Sequence, residues 1–227
     1  MAENTTSSMD RRAVLLGLGA AAGAAVVASP PSYAQGAGFT PPRHAVDSWL
    51  DELPGDHRVF IDSATARGGA EALLYASNLH AARQGEYAGM QADFAMVVCL
   101  RHFSTPFAFN DAIWEKYGAV FHAVMQMPDP DTNAAPTKNL MLADGYGLRL
   151  PNLGNNINRV RELGVEIAIC DAATNFLSTQ IAPATGQEIG AVYQELRENA
   201  IPGRFVSAGV MALTRAQEYG YSLLYAG

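Results

Sequence analysis

Only two cysteines occur in the 227 residues, Cys99 and Cys170. So low a count excludes a disulfide-stapled scaffold and any all-cysteine zinc site. Charge is sparse as well: 16% of the residues are Asp, Glu, Lys or Arg, against roughly 25% in an ordinary soluble domain. Positive charge is the scarcer sign, with 15 Lys and Arg against 22 Asp and Glu and a net charge of −7. That balance argues against a nucleic-acid partner, which needs a basic face for phosphates. The chain has no Ser-His-Asp order, nucleophile elbow, phosphate-binding glycine loop or HExxH pattern, so no cofactor is expected. Disorder is excluded by what the chain has in quantity, 49% hydrophobic residues.

The apolar run Ala13–Ala28 follows the pair Arg11-Arg12 and precedes Ser32-Tyr33-Ala34. A basic pair, a mild Ala/Gly-rich run and small residues at −3 and −1 make an export signal of the twin-arginine type, with cleavage after Ala34. The run is 16 residues long, short of the roughly 20 that span a bilayer. No later run is long enough, so the expectation is a periplasmic protein with no membrane span once residues 1–34 are removed. Glu3 and Asp10 offset Arg11 and Arg12, so the mature part keeps the same net charge. Its sparse charge suggests a surface partly covered by another subunit, and a homo-oligomer is expected.

Residues 35–55 read as a linker that ends in a short amphipathic turn around Trp49–Leu53. From residue 56 to 227 strands alternate with helices. Strands are expected at Arg58–Asp62, Phe94–Leu100, Val165–Cys170, Arg204–Val206 and Tyr221–Tyr225. Helices are expected at Ala70–Gln84, Asp111–Tyr117, Asn156–Leu163, Ala172–Ile181, Gly186–Asn199 and Val210–Tyr219, with Pro183 separating two of them. Continuous apolar runs such as Phe94–Leu100 mark buried parallel strands. The alternation predicts one α/β domain, a three-layer α/β/α sandwich on a mostly parallel five-stranded sheet. Residues 124–156, rich in Pro, Gly and Asn, form an irregular excursion.

In such a sheet ligands gather beyond the carboxyl ends of the strands. Asp62-Ser63, the Cys99–His102 segment, Cys170-Asp171 and Ser207 fall there. Cys170 is the leading candidate for catalysis: it ends a strand just before a helix, where N–H groups and the helix dipole favour a thiolate. Asp171 opposes this, and Arg101 or His102 is the expected source of compensating positive charge. A small residue packed at a strand end is the other reading of Cys170. Cys99 reads as core, and a Cys99–Cys170 disulfide stays open. Arg101, His102, Asn110 and Asp111 are candidate ligand-binding residues, the last two within a polar and aromatic cluster with Trp114, Lys116 and Tyr117. Cys99, Cys170, His102 and His122 have metal-binding chemistry but no ligand-motif spacing. The pair Met125 and Met127 has soft-ligand character, and packing explains it equally well.

The segment Gly164-Val165-Glu166-Ile167-Ala168-Ile169-Cys170-Asp171-Ala172-Ala173 resembles the Gly-Val-x-apolar-x-apolar-Cys-x-Ala-Ala stretch of the DsrE/DsrF-like superfamily. The likeness runs from about Arg58 to Tyr225. The stretches Arg101-His102-Phe103 and Phe109–Tyr117 look like an exported branch of it. The resemblance implies a three-layer α/β/α fold and homo-oligomers. It also implies that Cys170 matches the cysteine that carries sulfur as a persulfide between donor and acceptor proteins. Where relay members often place Arg and Gly soon after that cysteine, this chain has Thr174-Asn175-Phe176-Leu177. Two readings follow: a periplasmic thiol protein that binds or transfers sulfur through Cys170, or a non-catalytic oligomeric module for a small ligand or metal.

Overall fold

Three stretches of the chain carry central apolar runs, Val59–Ile61, Phe94–Leu100 and Ile167–Cys170, and each becomes a strand covered on both faces. They are β1 (His57–Ser63), β2 (Phe94–Leu100) and β3 (Glu166–Cys170). Two more exposed strands, β4 (Arg204–Val206) and β5 (Ser222–Ala226), take the edges. The order is β4-β3-β2-β1-β5 and every pairing is parallel. The computed structural model describes residues 40–89 and 93–227. The export segment 1–34 and its cleavage point lie outside the described residues.

The connections explain the layers. The chain steps from β1 to β4 in one direction across the sheet. With right-handed crossovers, those links share one face: α2 (Ala66–Gly85), α3 (Asp111–Met125), α4 (Ile157–Glu162), α5 (Asp171–Thr185) and α6 (Ile189–Glu198). There Ile61, Val98 and Ile169 share a core with Leu73, Trp114, Leu177 and Val192. The single return link carries α7 (Gly209–Glu218) to the opposite face. There Phe60, Val97, Cys99 and Ala168 pack with Ala212, Ala216 and Tyr219. The result is the three-layer α/β/α sandwich that the alternation predicts.

Side-chain caps fix several helix starts. Thr65 accepts from the Gly68 N–H at 2.8 Å, Asn110 from Ile113 at 3.2 Å and Asn156 from Arg159 at 2.8 Å. The Thr65 cap starts α2 four residues before Ala70. Helix α3 runs on to Met125 instead of stopping at Tyr117. Pro183 does not break α5; it lies inside the helix, in its last turn, and costs the N–H that the Thr179 carbonyl would otherwise accept from. The packed unit spans Arg43–Gly227. It thus includes part of the expected linker: α1 (Trp49–Glu52) buries Trp49 and Leu50 in the second core. The 126–156 excursion is irregular apart from a 3₁₀ turn at Gly147–Arg149. Buried Asn139 anchors it, donating to the carbonyls of Phe107 and Phe109 at 2.8 and 2.7 Å. Among the described residues no helix is long and apolar enough to cross a membrane.

Candidate functional site

The carboxyl ends of β1, β2 and β3 lie side by side, so the residues that leave those strands meet at one edge of the sheet. Arg101, His102 and Cys170 line a single cleft of about 420 Å³ there, together with Phe103, Phe176 and Gly209. Three of the five sequence-selected residues therefore converge. Cys170 is 4% exposed and lies at the cleft's floor.

Cys170 is the N-cap of α5. Its Sγ accepts from the Ala173 N–H at 3.4 Å and from the Gly209 N–H at 3.2 Å. The first donor belongs to the opening turn of α5 and the second to that of α7. Each helix N-terminus favours negative charge nearby by about 0.3–1 kcal/mol, more when partly buried. The start of α5 is held in place by the Ala172 N–H, which donates to the Ser207 carbonyl at 3.1 Å.

Two expectations about charge are altered. Asp171 does not face the sulfur. Its carboxylate turns toward α6, where the Tyr193 hydroxyl donates to it at 2.8 and 3.0 Å and Arg197 pairs with it. The Arg197 guanidinium lies 4.0 Å from the Phe205 ring centroid, which fixes the pair against β4. The thiol therefore needs no compensating cation for Asp171. Arg101 is engaged elsewhere: its Nε and Nη2 donate to the two Asp62 carboxylate oxygens, both at 2.7 Å. Both side chains of this pair are nearly buried, and the bidentate bond to Asp62 holds the guanidinium's pKa above its ordinary value. Its other N–H groups, including Nη1, have no hydrogen-bond partner among the described residues.

Ser63 and Ser104 knit the strand ends together. Ser63 Oγ lies 2.7 Å from the Cys99 carbonyl and 2.9 Å from Ser104 Oγ, which accepts from the Arg101 N–H at 2.9 Å. That turn places His102 at φ +51°, a left-handed conformation uncommon outside glycine.

Cys99 is fully buried, as a core residue should be. Burial pushes its thiol well up, Asp62 and Cys170 add to that, and Arg101 acts against it. The two cysteines are free. In the β2–β3 register Cys99 faces Ala168, so Cys170 lies two residues further along the neighbouring strand. Strand spacing and rise place the two Cα atoms about 8 Å apart, beyond the roughly 7 Å that a disulfide reaches without backbone movement.

The remaining candidates lie elsewhere. Asn110 caps α3, and its amide donates to Asn199 at 3.1 Å. Asp111 accepts from the Asn139 N–H at 2.8 Å and so fastens the excursion. Trp114 is buried and donates to the Pro106 carbonyl, while Lys116 and the Tyr117 hydroxyl hold Glu195. Met125 is core and Met127 packs against it. His122 meets the Met127 carbonyl at 3.1 Å. Among the described residues no group of three or more His, Cys, Asp and Glu side chains converges as a metal site.

Sequence reasoning passed over Gly209, Phe103 and Phe176. The signal for Gly209 was present: a glycine directly after a strand and Ser207-Ala208, at the start of a helix. Comparison with protein-family models, with curated proteins and with solved structures gives no match.

Proposed function

We propose that this chain is an exported, DsrE-like periplasmic sulfur carrier, with Cys170 holding one sulfur atom as a persulfide for transfer to an acceptor thiol. The observation that carries this is the pair of N–H donors, Ala173 and Gly209, that converge on Cys170 Sγ from two helix N-termini. Such a cradle suits an anionic sulfur, whether thiolate or persulfide. The cleft gives that sulfur one approach, and the resemblance of the 164–173 segment to the DsrE/DsrF-like superfamily supports the same role. Sparse charge and exposed apolar side chains such as Met211, Leu223 and Tyr225 fit assembly with further copies of the chain.

Loading from a polysulfide balances simply. The Cys170 thiolate attacks a sulfane sulfur, a donor S–S bond breaks, an Sγ–S bond forms, and the donor leaves as an anion one sulfur shorter. The test is peptide mass analysis of the reduced full chain after treatment with sodium polysulfide. The peptide with Cys170 should gain one sulfur atom, and cyanide should remove it as thiocyanate. Cys170→Ser should lose the gain and Cys99→Ser should keep it. Absence of the gain at Cys170, or a gain confined to Cys99, overturns the proposal.

A further inference from the structure

The walls of the cleft differ from its floor. Phe103, Phe176 and Val210 line it while remaining 45%, 46% and 51% exposed. Large apolar side chains held half in solvent around one mouth mark a recognition surface. The cavity, about 420 Å³, has the size of a small-molecule site, and such sites combine apolar walls with a few placed polar groups. Cys170 lies beneath this rim at 4% exposure, so a donor must enter the cleft to reach Sγ. A slender molecule can do this. Arg101 lines the same cleft with N–H groups left over from its bond to Asp62.

We infer that the cleft selects an organic thiosulfonate with an aromatic or bulky apolar group as sulfur donor, an inference that rests on the carrier role of Cys170. The apolar group meets Phe103 and Phe176, where ring contacts favour an aromatic partner. The sulfonyl oxygens find the free N–H groups of Arg101. The terminal sulfur enters toward Sγ. The step balances without a further reagent. The Cys170 thiolate attacks the terminal sulfur of RSO₂S⁻, the bond between that sulfur and the sulfonyl sulfur breaks, and the electron pair leaves with RSO₂⁻. The products are the Cys170 persulfide anion and a sulfinate; two negative charges enter and two remain.

The experiment compares benzenethiosulfonate with inorganic thiosulfate, which offers the same sulfane sulfur without the ring. Loading of Cys170 in the reduced full chain is followed by intact mass, and benzenesulfinate release by chromatography. The aromatic donor should load faster by about tenfold or more, the discrimination that one apolar group in a pocket supports, with one sulfinate released per sulfur bound. Phe176→Ala and Phe103→Ala should each shrink the ratio of the two rates. Leu148→Ala, on the distant Gly147–Arg149 turn, should leave it unchanged. Because the readout is a ratio within one preparation, partial misfolding cancels. Equal rates in the parent chain, or a ratio that survives both Phe→Ala changes, overturns the inference. If polysulfide also fails to load Cys170, the carrier role itself falls; if polysulfide loads but the donors are equal, only the aromatic selection does.

Discussion

Gly209 sits where the N-terminus of α7 meets the side chains leaving β2 and β3. A Cβ there would lie 2.7 Å from Arg101 Cβ, 2.8 Å from Arg101 Cδ and 3.1 Å from Cys99 Sγ. Arg101 cannot swing aside cheaply, because both ends of its guanidinium fork are bound to Asp62. The helix start must therefore retreat, and the Gly209 N–H moves away from Cys170. Gly209→Ala should cost about 1–3 kcal/mol, as overpacking usually does, measured by urea unfolding. It should also slow reaction of Cys170 with a small alkylating reagent. Gly190→Ala is the contrast: a Cβ there meets nothing within 4 Å, so it should stabilise α6 by up to about 1 kcal/mol and leave Cys170 unaffected. Convergence of Arg101, His102 and Cys170 was legible in the sequence, since strand ends of a parallel sheet share an edge. The fate of their charges was not. Asp171 precedes by a whole helix the Arg197 that claims it, and Asp62 lies far from Arg101 along the chain. Partners that meet only through the sheet leave no local pattern.

Helix α3 shows how a neighbouring segment overrides local propensity. The sequence places the helix end at Tyr117, yet the helix passes through Gly118 to Met125. The reason is close approach: a Cβ at Gly118 would lie 1.9 Å from the Pro136 carbonyl oxygen. Here glycine is required for contact with the excursion, at the usual cost of roughly 0.5–1 kcal/mol relative to alanine in a helix. Gly118→Ala should thus destabilise the protein despite its better propensity, and limited proteolysis should cut faster within residues 126–156. A variant at least as stable as the parent, with unchanged cleavage, would contradict this packing. The apolar runs Phe94–Leu100 and Val165–Cys170 were readable as strands because burial on both faces demands continuous apolar sequence. Pro183 misled because a proline removes one N–H from a helix without always ending it, and packing decides which. The pair Trp49 and Leu50 gave an amphipathic signal but nothing to name the sheet face that receives it.

A buried hydroxyl helps to fasten α1 over the second core. Tyr221 Oη donates to the Leu50 carbonyl at 2.7 Å, joining α1 to the residue before β5. Burial raises this phenol from 10.0 to about 12. Below pH 10 both folded and unfolded chains keep the proton, and the contribution to stability is complete. From pH 10 to about 12 the unfolded chain releases a proton that the folded chain retains, so stability falls as pH rises, by about 1.4 kcal/mol per unit for one such group. Tyr146, which donates to Asp129 at 2.6 Å, is raised too and acts with the same sign. Urea melts at increasing pH should therefore show a steep alkaline decline. Tyr221→Phe should make it shallower while lowering stability near neutral pH by about 1 kcal/mol for the lost hydrogen bond. An unchanged slope would mean that the phenol is not what titrates.

The diagonal offset between Cys99 and Cys170 has a consequence for how Cys170 would meet an oxidant. Neighbouring thiols in an oxidising place commonly settle into an internal bridge, a parked form that waits for a reductant. The register of β2 and β3 denies this chain such a harbour. Under the proposed carrier role, sulfur bound at Cys170 would leave by the cleft through which it came, and its dwell time would be set by the next visitor and not by the second cysteine.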